Sequence, residues 1–174
     1  NIMAISQASF NQIDDALEML GESKVDVIYL VDSYGSLYPE QIRELAFKYQ
    51  KIATKYGKKV GVHAHNNQQL AFANTIEACS YGVSYLDGTM GGMGRGAGNC
   101  TLEMLMGFLR NPKYKILPVL KFVQTEIEKL KAQGVVWGYD IHYLCTGVLN
   151  THPRSAITAI QAGDKDYANF YVGL

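Results

Sequence analysis

Val60-Gly-Val-His-Ala-His-Asn-Asn67 is a short apolar run that ends in two histidines. Side chains at i and i+2 of a strand point to the same side. His63 and His65 therefore face one way, about 6–7 Å apart along the chain. Two imidazoles on one face of a strand end can ligate one metal ion. The plainer alternative is a pair of histidines satisfied by hydrogen bonds. Ala64, between them, faces the other side and is small enough to pack beneath helices.

Working outward, three further apolar segments rich in Val, Ile and Tyr resemble this one: Ile2 to Ile5, Val25 to Val31 and Val83 to Leu86. Amphipathic stretches lie between them, and that alternation predicts βα units and a parallel sheet. Ser9 with Gln12 predicts a capping box, followed by Ile13, Ala16, Leu17 and Leu20 on one helix face, with Gly21 as the stop. Pro39 suits a first helical turn, and Gly57 ends the helix it opens. A third helix runs from about Leu70 to Ala78, and Asn99 is the expected N-cap of a fourth, Thr101 to Leu109. After Pro112 the pattern becomes helical throughout: Val119 to Lys131, closed by Gly134, then Tyr139 to Leu149 and Pro153 to Ala162. A usual closed barrel takes about eight parallel strands. Four βα units are therefore either half of such a barrel or a small open sheet.

Bulk composition narrows the function classes. The 174 residues carry 16 basic and 16 acidic side chains, so no electrostatic footprint for nucleic acid or an anionic membrane is expected. No apolar run is long enough to span a bilayer, and no secretory signal is visible. Cys79, Cys100 and Cys145 are scattered, without CxxC spacing, which suits a reducing, cytoplasmic setting. The chain opens at Asn1 directly into an apolar run, and is expected to be a piece of a longer protein.

The polar residues favour the barrel half. Ser6, Asp32 and Ser33, His63 and His65, and Asp87 each follow an apolar segment. In βα barrels the C-terminal strand ends and the loops after them carry the catalytic groups. Asp32, in Asp32-Ser-Tyr-Gly35, either serves a metal or its water, or caps the next turn; it is carried as a catalytic candidate. Asp87 leans towards a structural role. The segment Gly88 to Asn99 has glycine at 88, 91, 92, 94, 96 and 98. Such a loop lets a ligand approach the main chain, and its amides can hold a carboxylate or phosphate. Ser33, Gly94, Arg95 and Gly96 are therefore substrate-binding candidates, with Arg95 adding charge. The loop is not a Walker A motif and is a poor dinucleotide fingerprint, because it follows the last strand.

Taken together, Asp32-Ser-x-Gly35, His63-x-His65-Asn66 and Gly92-x-Gly94-x-x-Ala97-Gly98-Asn99 resemble the metal-dependent aldolase and lyase barrels related to 3-hydroxy-3-methylglutaryl-CoA lyase, the DRE-TIM metallolyase family. The similarity runs from Asn1 to about Leu109. It implies an α/β fold, the C-terminal half of a TIM (β/α)8 barrel (strands 5–8) over residues 1–111, followed by a helical C-terminal extension over 112–174. It implies that His63 and His65 bind a divalent metal, with Asn99 as a ligand or neighbour. It also implies an acidic ligand upstream of Asn1, beside a catalytic arginine. Mn²⁺ or Mg²⁺ is the expected ion, with Zn²⁺ or Co²⁺ acceptable to imidazole.

Within the family, the loop from Gly92 to Asn99 lacks the reactive cysteine of the CoA lyases, since Cys100 lies just past it. Asn67 stands where the condensing enzymes have aspartate. Gly-Met-Gly-x-Gly-Ala-Gly-Asn reads closest to the 4-hydroxy-2-oxovalerate aldolase branch. Gly138-Tyr-Asp-Ile-His-Tyr143 is similar to the tail of that branch, where a tyrosine reaches the active site; Tyr143 or Tyr139 is the candidate. The implied reaction is retro-aldol cleavage of a 4-hydroxy-2-oxo acid to pyruvate and an aldehyde. The first alternative is an acyl-CoA condensing acyltransferase of the isopropylmalate synthase type, and the second a non-catalytic binding or assembly module. In the aldolase branch such a tail contacts an aldehyde dehydrogenase. Here Leu117, Leu120, Val123 and Ile127 are expected to pack on the barrel or on a second subunit of a homo-oligomer.

Overall fold

β1 (Val27–Asp32), β2 (Lys59–Ala64) and β3 (Tyr85–Leu86) form one parallel sheet in the order β1-β2-β3. The computed structural model describes residues 1–174. The first helix, α1 (Phe10–Glu22), precedes β1. The crossovers are α2 (Pro39–Tyr56) between β1 and β2, and α3 (Ala71–Ser80) between β2 and β3. Ile28, Leu30, Val60 and Val62 are no more than 1% exposed and pack against Leu17, Ile42 and Tyr49 from α1 and α2. Burying one such aliphatic side chain contributes about 1.5–3 kcal/mol. Ala64 packs with Ala71, Cys100 and Leu105, as its size suggests. The opposite sheet face carries Tyr29, Val31 and His63, so the period of two separates a helix-covered side from a polar side.

Several local signals appear as expected. Ser9 and Gln12 make the capping box of α1, Pro39 opens α2, and Gly57 closes it at φ 67°. Others do not. Ile2 to Ile5 is no strand: Ala4 sits at φ 50° and a 3₁₀ turn, Ile5–Gln7, follows. The Ala4 N–H donates to Ser33 Oγ (3.0 Å) instead of to a neighbouring strand. A short apolar run signals burial, and Ile5 is indeed buried, but it does not by itself specify a ladder. Gly21 does not stop α1 either. It lies inside the helix because the Tyr56 ring crosses it; a Cβ there would come within 2.3 Å of that ring.

After β3 the chain is helical. α4 (Leu102–Leu109) precedes α5 (Ile116–Phe122), a π segment (Val123–Ile127) and α6 (Glu128–Ala132), which read as one run. The predicted start at Val119 is therefore three residues late, and Gly134 (φ 87°) ends the run as foreseen. α7 (Ile141–Val148) and α8 (Arg154–Gln161) follow, then α9 (Tyr167–Val172), which the sequence reading missed. α7 covers the loops at the strand ends. Asn67 Nδ2 reaches Thr146 Oγ1 (3.4 Å), and Asn150 joins Ser36 Oγ (2.8 Å) to the Ser6 carbonyl (2.9 Å). Ile127 is buried on this chain, whereas Leu117 and Leu120 stay 59% and 45% exposed, against the packing expected of all four apolar tail residues. No helix is long and apolar enough to cross a membrane.

Two outcomes test this packing. Gly21→Ala pushes a methyl into the Tyr56 ring, whose hydroxyl is tied to Glu18 (2.7 Å), and should cost about 1–3 kcal/mol in urea unfolding. Asp140 caps α7. Burial opposes its ionisation, but the His142 N–H (2.9 Å) and the His142 ring (2.7 Å) outweigh that and hold its carboxyl below the ordinary value. A depressed carboxyl stabilises above its unfolded pKa of about 4 and loses that contribution as pH falls through the folded value. Asp140→Ala should therefore cost about 1 kcal/mol at pH 7, and the difference from wild type should narrow below about pH 4.

Candidate metal centre

The register of the sheet builds the site. Val31 pairs with His63 across β1 and β2, and Gly61 and Val62 pair with Tyr85 and Leu86 across β2 and β3. One step further along, His63 lies beside Asp87, and His63 Nδ1 sits 3.0 Å from Asp87 Oδ2. The His63 and His65 rings meet edge to face with centroids 5.2 Å apart. Both line a cleft of about 380 Å³ together with Tyr29, Val31, Ser33, Asp87 and Arg95, while Asn1 and Met3 close one side.

The glycine loop docks onto the end of β2. His65 and Asn99 form an antiparallel bridge, the Asn66 N–H donates to the Gly98 carbonyl (2.9 Å), and the Cys100 N–H donates to Ala64 (3.2 Å). Asn99 is thus not the cap of α4; Thr101 holds that position, because Asn99 Nδ2 is engaged with the Met93 carbonyl (3.2 Å). Asn99 Oδ1 is buried without a partner, and so is His65 Nδ1. Gly94 is required here, since a Cβ would approach Asn99 Nδ2 to 2.5 Å.

The imidazole of His65 is kept neutral. Burial, then the nearby Arg95 and His63 charges, push its pKa down to about 4, so its ring carries a free lone pair at neutral pH. Unpartnered nitrogen and oxygen atoms on His65 and Asn99, beside a second imidazole, fit a divalent cation. The chain does not itself gather three His, Cys, Asp or Glu side chains around one point, so these donors form only part of a coordination sphere.

The other candidates divide. Arg95 crosses the cleft and donates to the Ser33 carbonyl (2.7 Å). The amides of Gly94, Arg95 and Gly96 make no hydrogen bond within the chain, whereas that of Gly91 is occupied by the Glu103 carboxylate (3.0 Å). The anion-binding part of the loop is therefore narrower than its glycine content suggests. Tyr143 lies over Gly96, where a Cβ would come within 2.8 Å of its ring, and burial raises its pKa. Tyr139 is 60% exposed.

Asp32 is not brought to the cleft. Its position in β1 has the parity of Ile28 and Leu30, and its carboxylate turns back to accept the Ser36 (3.0 Å) and Leu37 (3.2 Å) N–H groups. Burial pushes its pKa up to about 6. Its role is to shape the loop, in which Gly35 (φ 59°) allows Asn67 to approach. Asp87 and Tyr29 are the site residues that the sequence reading passed over. Their positions i−2 and i+2 from inward-facing neighbours carried the signal, once the register was known.

Comparison with known proteins agrees with this placement. The HMGL-like family description matches residues 2–131. An oxaloacetate decarboxylase of Mycobacterium tuberculosis is 42% identical over 86 residues, covering 49% of this chain and 25% of that protein. A 4-hydroxy-2-oxovalerate aldolase of Carboxydothermus hydrogenoformans is 37% identical over 147 residues, 80% of this chain and 41% of that protein. The chain thus spans between a quarter and two fifths of the length of these curated relatives. Among solved structures, the N-terminal domain of a putative aldolase from Bacteroides vulgatus superposes with a TM-score of 0.74 at 24% identity, covering 95% of this chain and 56% of that one. The carboxyl transferase domain of Rhizobium etli pyruvate carboxylase gives 0.68 at 16% identity, covering 97% and 29%. The β-strand register, the histidine pair and the glycine loop therefore sit in a chain that belongs to the HMGL-like family.

Proposed function

We propose that this chain carries the histidine pair of a divalent-metal-dependent carbon–carbon lyase, one that cleaves a 4-hydroxy-2-oxo acid to pyruvate and an aldehyde. In this reading residues 1–111 are the C-terminal half of a TIM barrel and 112–174 a helical extension over its strand ends. The observation that carries the reading is the meeting of His63, His65 and the unpartnered Asn99 Oδ1 with Arg95 in one cleft.

His63, His65 and Asn99 would hold the cation, with Mn²⁺ or Mg²⁺ favoured if the remaining donors are oxygens. A cation held there supplies Lewis acidity at the 2-oxo oxygen of the substrate. The free amides of Gly94 and Gly96 and the Arg95 guanidinium suit the substrate carboxylate. Ser33 Oγ accepts from the Ala4 N–H, which leaves its own proton to donate to a substrate oxygen. Tyr143, kept a phenol by burial, offers its hydroxyl proton from the tail. In the reaction the C4 hydroxyl loses its proton, the C3–C4 bond breaks, the aldehyde departs, and C3 of the pyruvate enolate is protonated.

The similarity to an oxaloacetate decarboxylase supports a second reading. Oxaloacetate presents the same 2-oxo carboxylate head, and its C3–C4 cleavage releases CO₂ in place of an aldehyde. An acyl-CoA condensing activity is the remaining alternative.

Full-length protein supplied with Mn²⁺ and 4-hydroxy-2-oxopentanoate should release pyruvate and acetaldehyde in equal amounts. His63→Ala and His65→Ala should each lower that rate by more than about 100-fold, the upper end of what changes outside the ligand shell cost. CO₂ from oxaloacetate without aldehyde formation would favour the decarboxylase reading. Free CoA from acetyl-CoA and a 2-oxo acid would overturn both.

A further inference from the structure

Asp87 stands outside the donor set just described, yet it touches one member of it. His63 Nδ1 and Asp87 Oδ2 are 3.0 Å apart, and the side chains are 27% and 43% exposed. An ion pair so open to water adds little to folding stability. Its consequence is chemical: a carboxylate beside Nδ1 keeps the proton on that nitrogen and leaves the lone pair on Nε2.

The sheet enforces this contact. Gly61 and Val62 pair with Tyr85 and Leu86, so the next step of the ladder sets Asp87 beside His63 on the same face. One row below, Gly61 leaves space that the Tyr29 ring fills, since a Cβ at 61 would come within 2.5 Å of it. Tyr29 lines the same cleft, and its hydroxyl pKa is raised by burial and then by the neighbouring Asp87 charge. The carboxylate is thus bounded by a strand register on one side and a tyrosine on the other.

We infer that Asp87 is a positioning residue: it fixes the tautomer and ring orientation of His63 so that Nε2 faces the cation. This rests on the proposed metal-binding role of His63. Partners of this kind change metal affinity by about 10–100-fold when removed.

The test uses full-length, metal-free protein. Long-range ¹H–¹⁵N correlation of the wild type should show His63 protonated on Nδ1; a wild-type His63 protonated on Nε2 overturns the inference without any variant. Mn²⁺ titration followed by electron paramagnetic resonance should show Asp87→Ala binding about 10–100-fold more weakly. Asp87→Asn, which keeps an acceptor oxygen, should lose less. Wild-type affinity in Asp87→Ala, with affinity lost in His63→Ala, would overturn the role of Asp87 alone. Wild-type affinity in His63→Ala and His65→Ala as well would remove the metal reading itself. If Asp87→Ala does not fold, Asp87→Asn and the wild-type spectrum decide.

Discussion

The pairing of β2 with its two neighbours is the constraint on which the rest of the site depends. A parallel ladder has a fixed step, and side chains alternate strictly about it. With Val31 opposite His63 and Val62 opposite Leu86, the inward row at the strand ends is Val31, His63 and Asp87. A shift of one residue would send His63 and His65 under the helices and bring Ala64 to the cleft. The core prevents that slip, because Val60, Val62 and Ala64 are all but fully buried on the other face. Aliphatic packing on one side of the sheet therefore fixes the polar constellation on the other.

The glycine loop converts this row into a pocket. It is anchored by main-chain bonds to Ala64, His65 and Asn66, so Asn99 arrives beside His65 without a helix to carry it. The tail then closes the loop from above. Trp137 Nε1 donates to the Gly91 carbonyl (2.9 Å), the Gly138 N–H donates to Gly96 (3.0 Å), and Ile127 from the π segment packs against Gly91. A π turn adds a residue to the helix and turns the following side chains, which is what delivers Ile127 to that position. The helices after β3 are thus part of the wall of the cleft.

Much of this was legible in the sequence, and the failures share a cause. Helix caps at Ser9, Pro39 and Gly57, the parity of His63 and His65, and the small residue at Ala64 are local signals, and each appears where its chemistry requires. Gly21 and Asn99 misled because a glycine or an asparagine near a helix end usually serves that end, whereas here a distant Tyr56 ring and the Met93 carbonyl claim them. Asp32 misled similarly: its place at a strand end suggested chemistry, but counting by two from Leu30 turns it away from the cleft. Asp87 was undervalued because its partner, His63, is defined only by register across strands. Tertiary neighbours, not local propensity, decided every one of these positions.

The central claim is that His63 and His65 share one divalent ion. Electron spin-echo envelope modulation on full-length protein loaded with one equivalent of Mn²⁺ tests it most directly. The account predicts ¹⁴N couplings from two imidazoles, reduced to one in His65→Ala. A spectrum with water and carboxylate couplings alone would contradict it.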